Sequence, residues 1–398
     1  MNGNKFFKLL FLIAVFSITS CKTESQDKPG VNPGIWVRDG YELTIAVDAE
    51  EGPRHMALAP DGTLYFSNNN SPNITSARDE DGDGYYETLK TYHTSQNTAY
   101  YVLWHDGELW YTEAGAVFKT KDTDNDYVAD EVETVIPEDK LVNGGGHVWR
   151  SLLIHNGRIY TSIGDGGNIN DETDTERQKI WSFDMQGGDK KLFCSGIRNT
   201  EKLVIRPGTD EIWGMDHGSD WFGRELGETR DLQSVTNTHP PDEMNHYVEG
   251  GFYGHPFIVG NKLPRYEYMD RSDILELAEK TISPEWETGA HWAPNAMMFY
   301  DGGQFPEELK GDAFVAFHGS WNRNPKAGYQ VSRVLFEFGH PYGEQPYVKF
   351  LTDDYEVLGR PVDVIQAADG SILISEDGGR TVDGYSQNKI YRLKYVGD

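Results

Sequence analysis

Six stretches of the chain alternate apolar and polar residues, turn sharply, and alternate again. The first runs from His55 to Phe66 through Asp61-Gly62, the second from Tyr101 to Thr112 through Asp106-Gly107, and the third from Ser151 to Ser162 through Asn156-Gly157. Leu203 to Met215 turns at Pro207-Gly208, Met297 to Phe317 takes a longer turn through Asp301 and Gly302, and Val362 to Ser375 turns at Asp369-Gly370. Period-two alternation predicts strands with one buried face, and Asp-Gly or Asn-Gly between such runs is the strongest short hairpin signal. Hairpins recurring roughly every 40–50 residues fit four-stranded propeller blades, and the spacing here starts close to that and lengthens late, between the fourth and fifth hairpins and again before the sixth. The expected fold is therefore all-β, a six-bladed β-propeller of four-stranded antiparallel blades over residues 35–398. A ring covers its sheet edges and divides the core among blade interfaces, which suits a length at which a single core stops growing, roughly 250–300 residues. The regular spacing favours this ring over a pair of open sandwiches. One helical pattern interrupts it: Ser272 as N-cap, Ile274, Leu275, Leu277 and Ala278 inward, Glu276 and Glu279 outward, within an excursion from Ile258 to Thr288 on one face.

The ends change the picture first. Lys5 and Lys8 precede an unbroken apolar run from Leu9 to Phe16, too short to span a bilayer, followed by Ile18-Thr19-Ser20-Cys21. This reads as a signal peptide over residues 1–20. The cysteine after small residues resembles a bacterial lipobox, so Cys21 is the expected acylation site; ordinary cleavage near Ser20 is the alternative. Lys22 after the cysteine directs such lipoproteins to the outer membrane, periplasmic or surface face, with the membrane reached through the lipid alone. Residues 21–34 have almost nothing to bury and are expected to be a flexible tether. Cys194 then has no partner for a disulfide and reads as a small buried apolar side chain, and no C-x-x-C-H exists to attach haem. A net charge of -28 argues against nucleic acid as a partner.

Many of the acids cluster. Asp79, Asp81, Asp83 and Glu87 occupy loop positions 1, 3, 5 and 9, and Asp122, Asp124, Asp126 and Asp130 repeat the spacing 43 residues on. Alternate carboxylates in a tight turn converge, and hard oxygen ligands select Ca²⁺. Gly84 takes the sharp-turn position in the first loop and Tyr127 in the second; neither has a Glu at position 12, so these are not EF-hands. Two solvated acidic turns are the plain alternative, and structural rather than catalytic ions the expectation.

The third hairpin is flanked by candidate chemistry. His147, in Gly144-Gly145-Gly146-His147, opens its first strand, and Asp165, in Ile163-Gly164-Asp165, closes the second, at the same end of the blade. A carboxylate beside an imidazole fixes its tautomer and strengthens it as a base. Gly196-Ile197-Arg198-Asn199 precedes the fourth hairpin and directs Arg198 to that end of the channel. A strand-end histidine and an interblade arginine pair are the structural alternatives. Trp292 and Trp321 either stack on a planar ligand or pack between blades, and Asp216 and Asp220 flank the loop beside the site.

These motifs, followed in order by Pro241-Asp242-Glu243-Met244-Asn245, Gly251-Phe252-Tyr253-Gly254-His255-Pro256, His318-Gly319-Ser320-Trp321-Asn322-Arg323, Gly359-Arg360-Pro361-Val362-Asp363-Val364 and Ile390-Tyr391-Arg392, resemble the pyrroloquinoline quinone (PQQ) sugar dehydrogenases. The resemblance spans the chain from about Gly40 and is to soluble glucose dehydrogenase and, more, to the sorbosone dehydrogenases. It implies His147 as general base, Asp165 orienting it, Arg198 on the reacting quinone carbonyl with Asn199 sharing that contact, and Arg360 on a cofactor carboxylate. It also implies a Ca²⁺ that polarises the quinone, held by backbone oxygens around Asn237 to Pro241 beside Asp242 and Glu243. Two positions depart from the pattern. Val362 stands where soluble glucose dehydrogenase has a second arginine, and the family's cofactor lysine has no clear match, leaving Arg323 or Lys326 to replace it.

The function expected is PQQ-dependent oxidation of a sugar, an aldose, a sorbosone-like aldehyde or a related alcohol. Electrons would pass to an external acceptor, a cytochrome or the quinone pool. A calcium-dependent propeller hydrolase of the lactonase kind and a non-catalytic carbohydrate-binding propeller are the competing readings.

Overall fold

A computed structural model of the protein describes residues 29–222, 233–378, 381–382 and 384–397. The expected signal segment, Cys21 and most of the tether lie outside these residues. At the described end of the expected tether, Val31 packs against the hydrophobic cluster that also holds Leu358, and a Cβ on Gly34 would come within 2.9 Å of the Leu358 side chain.

Six antiparallel sheets form the ring. Blade 1 is Pro53–Leu58, Leu64–Asn68, Asn73–Arg78 and Thr88–Thr94; blade 2 is Val102–His105, Glu108–Thr112, Val117–Lys121 and Glu131–Ile136. Blade 3 is Leu153–His155, Arg158–Ile163, Lys179–Asp184 and Lys191–Ser195, and blade 4 is Leu203–Ile205, Ile212–Asp216, Glu243–Tyr247 and Trp286–Glu287. Blade 5 runs Pro294–Phe299, Ala313–Phe317, Gln330–Glu337, His340–Lys349, with Trp36–Val37 added as a fifth outer strand. Blade 6 joins both ends of the chain: Pro361–Gln366, Ile372–Glu376 and Lys389–Tyr395 come from the C-terminal part, and Tyr41–Asp48 pairs outside them.

The hairpin turns form where expected. Asp106 and Gly107 (φ 51° and 83°) and Asn156 and Gly157 (φ 48° and 71°) both take left-handed backbone, the geometry that matches the twist of the flanking strands. The alternation buries one face of each blade against the next, and the apolar core falls into separate clusters at the blade interfaces. Trp110, Leu152 and Phe183 join blades 2 and 3, while Cys194, Leu203 and Tyr247 join blades 3 and 4. Cys194 is a buried free thiol, as the packing reading required.

The late gap holds the expected excursion, inserted between the last two strands of blade 4. Its helix is Ile274–Lys280, capped at Asp273 rather than Ser272 and without a side-chain cap bond. Before it, the chain climbs the outer edge of blade 3: Gly250 N–H donates to the Phe193 carbonyl and Tyr253 N–H to that of Ser195. Arg265 then reaches Ser219, Tyr268 the Ile169 carbonyl and Arg271 the Asp171 carboxylate. Those partners lie on loops at the same rim as His147 and Arg198.

Candidate active site

In each blade the loop after the second strand and the link to the next blade share one rim, which is where His147, Asp165 and Arg198 lie. Glycines let them approach closely. A Cβ on Gly164 would come within 2.7 Å of both the His147 Cβ and the Arg198 carbonyl oxygen. The backbone of Asp165 bridges the other two: its N–H donates to the Arg198 carbonyl (2.9 Å), and its carbonyl accepts from His147 Nδ1 (2.8 Å).

This corrects the expected role of the Asp165 side chain. Its carboxylate does not meet His147; it is wholly buried and accepts from His255 Nε2 (2.7 Å), Gln178 Nε2 (2.9 Å), Gly167 N (2.6 Å) and Asn170 N (3.1 Å). Burial alone would raise its pKa, but these donors hold it down to about 2. The imidazole is still oriented, by a carbonyl. Because a carbonyl can only accept, Nδ1 carries the proton and Nε2 presents its lone pair. Burial and the Arg198 guanidinium push the His147 pKa down to about 3, so the ring is neutral.

Arg198 is 4% exposed and held on three sides. Nε donates to the Asn168 carbonyl (3.0 Å), Nη1 to that of Gly218 (3.0 Å), and Nη2 to the Asn168 side chain (3.0 Å) and to Asp220 (3.3 Å). The backbone N–H groups of Arg198 and Asn199 both donate to Asp216, whose carboxyl is pushed up to about 6 by burial. His147, Arg198 and Asn199 line one cavity of about 370 Å³, together with Arg54, Trp149, His217, His318, Trp321 and Asn322.

Other expected residues are placed differently. Arg360 is outside this lining: it stands behind His318, donating from Nη1 to His318 Nδ1 (3.0 Å), while His318 Nε2 donates to Asp377 (2.7 Å). Lys326 points away, 3.4 Å from the Tyr355 carbonyl, and Arg323 donates to the Ala290 carbonyl (3.1 Å) just outside the lining. Asp242 and Glu243 do not form a ligand pair, because successive residues entering a strand face opposite sides. Asp242 lines the cavity and accepts from Gly218 N and Ala293 N, whereas Glu243 turns away to Gly260 N. Burial raises their carboxyls to about 7 and about 8. In the stretch before them, the His239 carbonyl already accepts from His291 Nε2. Trp292 packs edge-on against Phe317 in the core between blades 4 and 5.

The aspartate loops sit at the opposite rim, in the turns between third and fourth strands of blades 1 and 2. Carboxylate oxygens of Asp79, Asp81, Asp83 and Glu87 lie within 4.8 Å of one another, a preformed hard-oxygen set. In the second loop Asp122, Asp124 and Asp130 converge but Asp126 does not. There Tyr127 (φ 68°) replaces the glycine and lies over Arg78, and the Asp126 carbonyl is taken by Lys90.

Below the cavity a buried ionic layer crosses the channel. Arg54 bridges Asp377 (2.6 Å) and Glu201 (2.9 Å), and Lys202 pairs with Asp363 (2.6 Å). His55 lies between, 3.8 Å from both Glu201 and Asp363. Beyond the layer is a second cavity of about 320 Å³, lined by Leu58, Leu103, Leu153, Ile205 and other mostly apolar side chains of the inner strands.

Sequence reasoning missed Arg54, His217, His255 and Asn322. His255 and Asn322 lie inside motifs already singled out, while Arg54 and His55 stand together near the start of the inner strand Pro53–Leu58, polar residues where burial was expected.

The TrAA12-like family model matches residues 35–356. An uncharacterized protein of Borreliella burgdorferi is 25% identical over 411 residues, covering 98% of each chain. Among solved structures, the family AA12 carbohydrate-active enzyme of Trichoderma reesei superposes with a TM-score of 0.77 at 18% identity, covering 93% of this chain and 100% of that one. The holo PQQ domain of a pyranose dehydrogenase from Coprinopsis cinerea gives 0.75 at 18% identity, with 92% and 98% covered. The PQQ-bound aldose sugar dehydrogenase of Streptomyces coelicolor gives 0.62 at 14%, with 90% and 99% covered. The six-bladed ring expected from the sequence is the fold these structures share.

Proposed function

The chain belongs to the TrAA12-like family, and from that premise and the geometry of the cavity we propose that it is a PQQ-dependent dehydrogenase of a sugar or a related aldehyde or alcohol. The observation that carries the proposal is His147 locked by the Asp165 carbonyl, with its free Nε2 in the cavity that Arg198 lines.

The cavity suits an anionic planar cofactor. Two buried guanidinium groups, Arg54 and Arg198, line it, and Arg54 Nε has no hydrogen-bond partner among the described residues. An unmet buried donor of this kind costs about 1–3 kcal/mol until a ligand supplies an acceptor. Trp149 lies against the Arg54 guanidinium, 5.3 Å from ring to charge. In this reading Arg54 takes the cofactor-carboxylate contact expected of Arg360, and Arg198 with Asn199 takes the contact to the reacting carbonyl. Bound PQQ supplies a two-electron acceptor for hydride from the carbon being oxidised. His147 takes the hydroxyl proton at Nε2; its Nδ1–H, fixed on the carbonyl, keeps that lone pair aimed and gains strength as a donor when the ring becomes positive. Arg198 places a fixed positive charge where negative charge develops. Asp165 and His255 act as positioning residues by holding the 165–170 loop.

Calcium is proposed for the two aspartate loops as structural ions, with Asp79, Asp81, Asp83 and Glu87 the stronger set. Acylation of Cys21 would tether the protein at the outer membrane, with electrons passed to an external carrier.

Protein loaded with PQQ and Ca²⁺ is expected to reduce an artificial dye with at least one aldose. His147→Ala should lower kcat by about 10²–10⁴-fold with the melting temperature retained. Full turnover in that variant overturns the assignment of the base.

A further inference from the structure

One wall of the cavity is built from the loop that follows the second strand of blade 5. The loop is rigid. Gly319 (φ 97°) has the Tyr329 ring packed where a side chain would stand, since a Cβ there would come within 2.3 Å of it. Gln233 donates to the Asn322 carbonyl (2.8 Å). This fixed backbone presents two neighbouring residues in opposite states. Trp321 is 62% exposed, at the outer lip of the cavity, with Trp221 edge-on against it at 5.5 Å. Asn322 is 4% exposed and lines the same cavity, and neither atom of its amide has a hydrogen-bond partner among the described residues.

Each half is unfavourable alone. A large ring held open to water forgoes the burial its area would bring, and a buried amide with no partner costs about 1–3 kcal/mol for each unmet group. Together they complement one kind of molecule. A cyclic sugar has a C–H face that covers an indole and, at its edge, hydroxyl groups that both donate and accept. An amide presents a donor and an acceptor side by side, which matches two neighbouring hydroxyls. The position also separates substrate from cofactor: Arg198 is deep and buried, whereas Trp321 is at the lip, so the group touching the lip enters last.

We propose that Trp321 and Asn322 form the sugar subsite, Trp321 stacking on the ring face and Asn322 reading a pair of adjacent hydroxyls. The proposal rests on the dehydrogenase reading for its substrate, but its test does not depend on turnover. Full-length protein with PQQ and Ca²⁺ would be given D-glucose, D-galactose, D-mannose and D-xylose, and followed by saturation-transfer NMR without an electron acceptor and by dye reduction with one. Saturation should reach the ring protons of at least one sugar. Trp321→Ala should raise KM for that sugar at least tenfold while kcat changes less than threefold, with Trp321→Phe recovering most of the loss. Asn322→Ala should weaken sugar binding at least fivefold, yet leave the melting temperature of the ligand-free protein equal or higher, the reverse of what a structural asparagine would do. Sugar binding lost in both alanine variants but without turnover in any protein keeps the subsite and rejects the oxidation. Turnover with KM unchanged in Trp321→Ala keeps the oxidation and rejects the subsite. Absence of binding to all four sugars rejects the subsite as well.

Discussion

The tautomer of His147 depends on a main-chain oxygen, not on the acidic side chain that adjoins it in sequence. Its pKa near 3 lies below the 6.5 of an ordinary imidazole, so between these values the unfolded chain binds the extra proton. The ring therefore contributes stability in full above about pH 6.5, and that contribution is withdrawn as pH falls toward 3. In the cofactor-free protein, the NMR signal of the His147 ring should stay at its neutral position from pH 7 down to pH 5, a range set by that depressed value. A midpoint at pH 6 or above would contradict the burial argument. Asp165→Asn should act differently from what a His–Asp pair suggests. An amide nitrogen would face donors where an oxygen accepted them, destabilising the fold by about 2–4 kcal/mol, measured by denaturant titration. The catalytic candidates were legible at this scale because glycine-rich strand ends announce them. Their partners were not: His255 reaches Asp165 from 90 residues away.

Among elements, the inner hairpins were legible because most are decided locally, four of the six by an Asp-Gly or Asn-Gly pair suited to the tight turn. The outer strands were harder to read. Trp36–Val37 on blade 5 and the climb of residues 250–255 along blade 3 depend on pairing with distant segments, and no local pattern records that. The aspartate loops fall between these cases. Their spacing showed convergence, but not that Asp126 stands apart from Asp122, Asp124 and Asp130. In the first loop Asp79 accepts from the N–H groups of Gly82, Asp83 and Gly84, so it shapes the turn with or without an ion. Asp81→Ala is the cleaner probe. Calcium should raise the melting temperature of the parent protein by several degrees and chelator should reverse this, with at least half of the effect lost in Asp81→Ala.

Across the whole molecule, stability is shared among blade interfaces and depends on joining the two ends of the chain. Tyr41–Asp48 supplies the outer strand of the last blade and is paired along its length with Lys389–Tyr395. Ala46 and Val47 from it, with Leu373 and Ile390, also pack against blade 1. Deleting residues 29–48 should therefore leave an open sheet edge at blade 6 and abolish the single cooperative melting transition, followed by circular dichroism. The ring itself was legible, since six hairpins in a chain of this length leave few other ways to cover every edge. The layer of ions across its axis was not, because Arg54, Glu201, Lys202, Asp363 and Asp377 belong to three blades.

That layer works as a bulkhead. Among the described residues, paired charges fill the middle of the tube between the two cavities, which leaves the rim that carries His147 and Arg198 as the proposed doorway. Fuel and a soluble dye must then use it by turns. Steady-state kinetics should give parallel lines in double-reciprocal plots, and an excess of either visitor should obstruct the other.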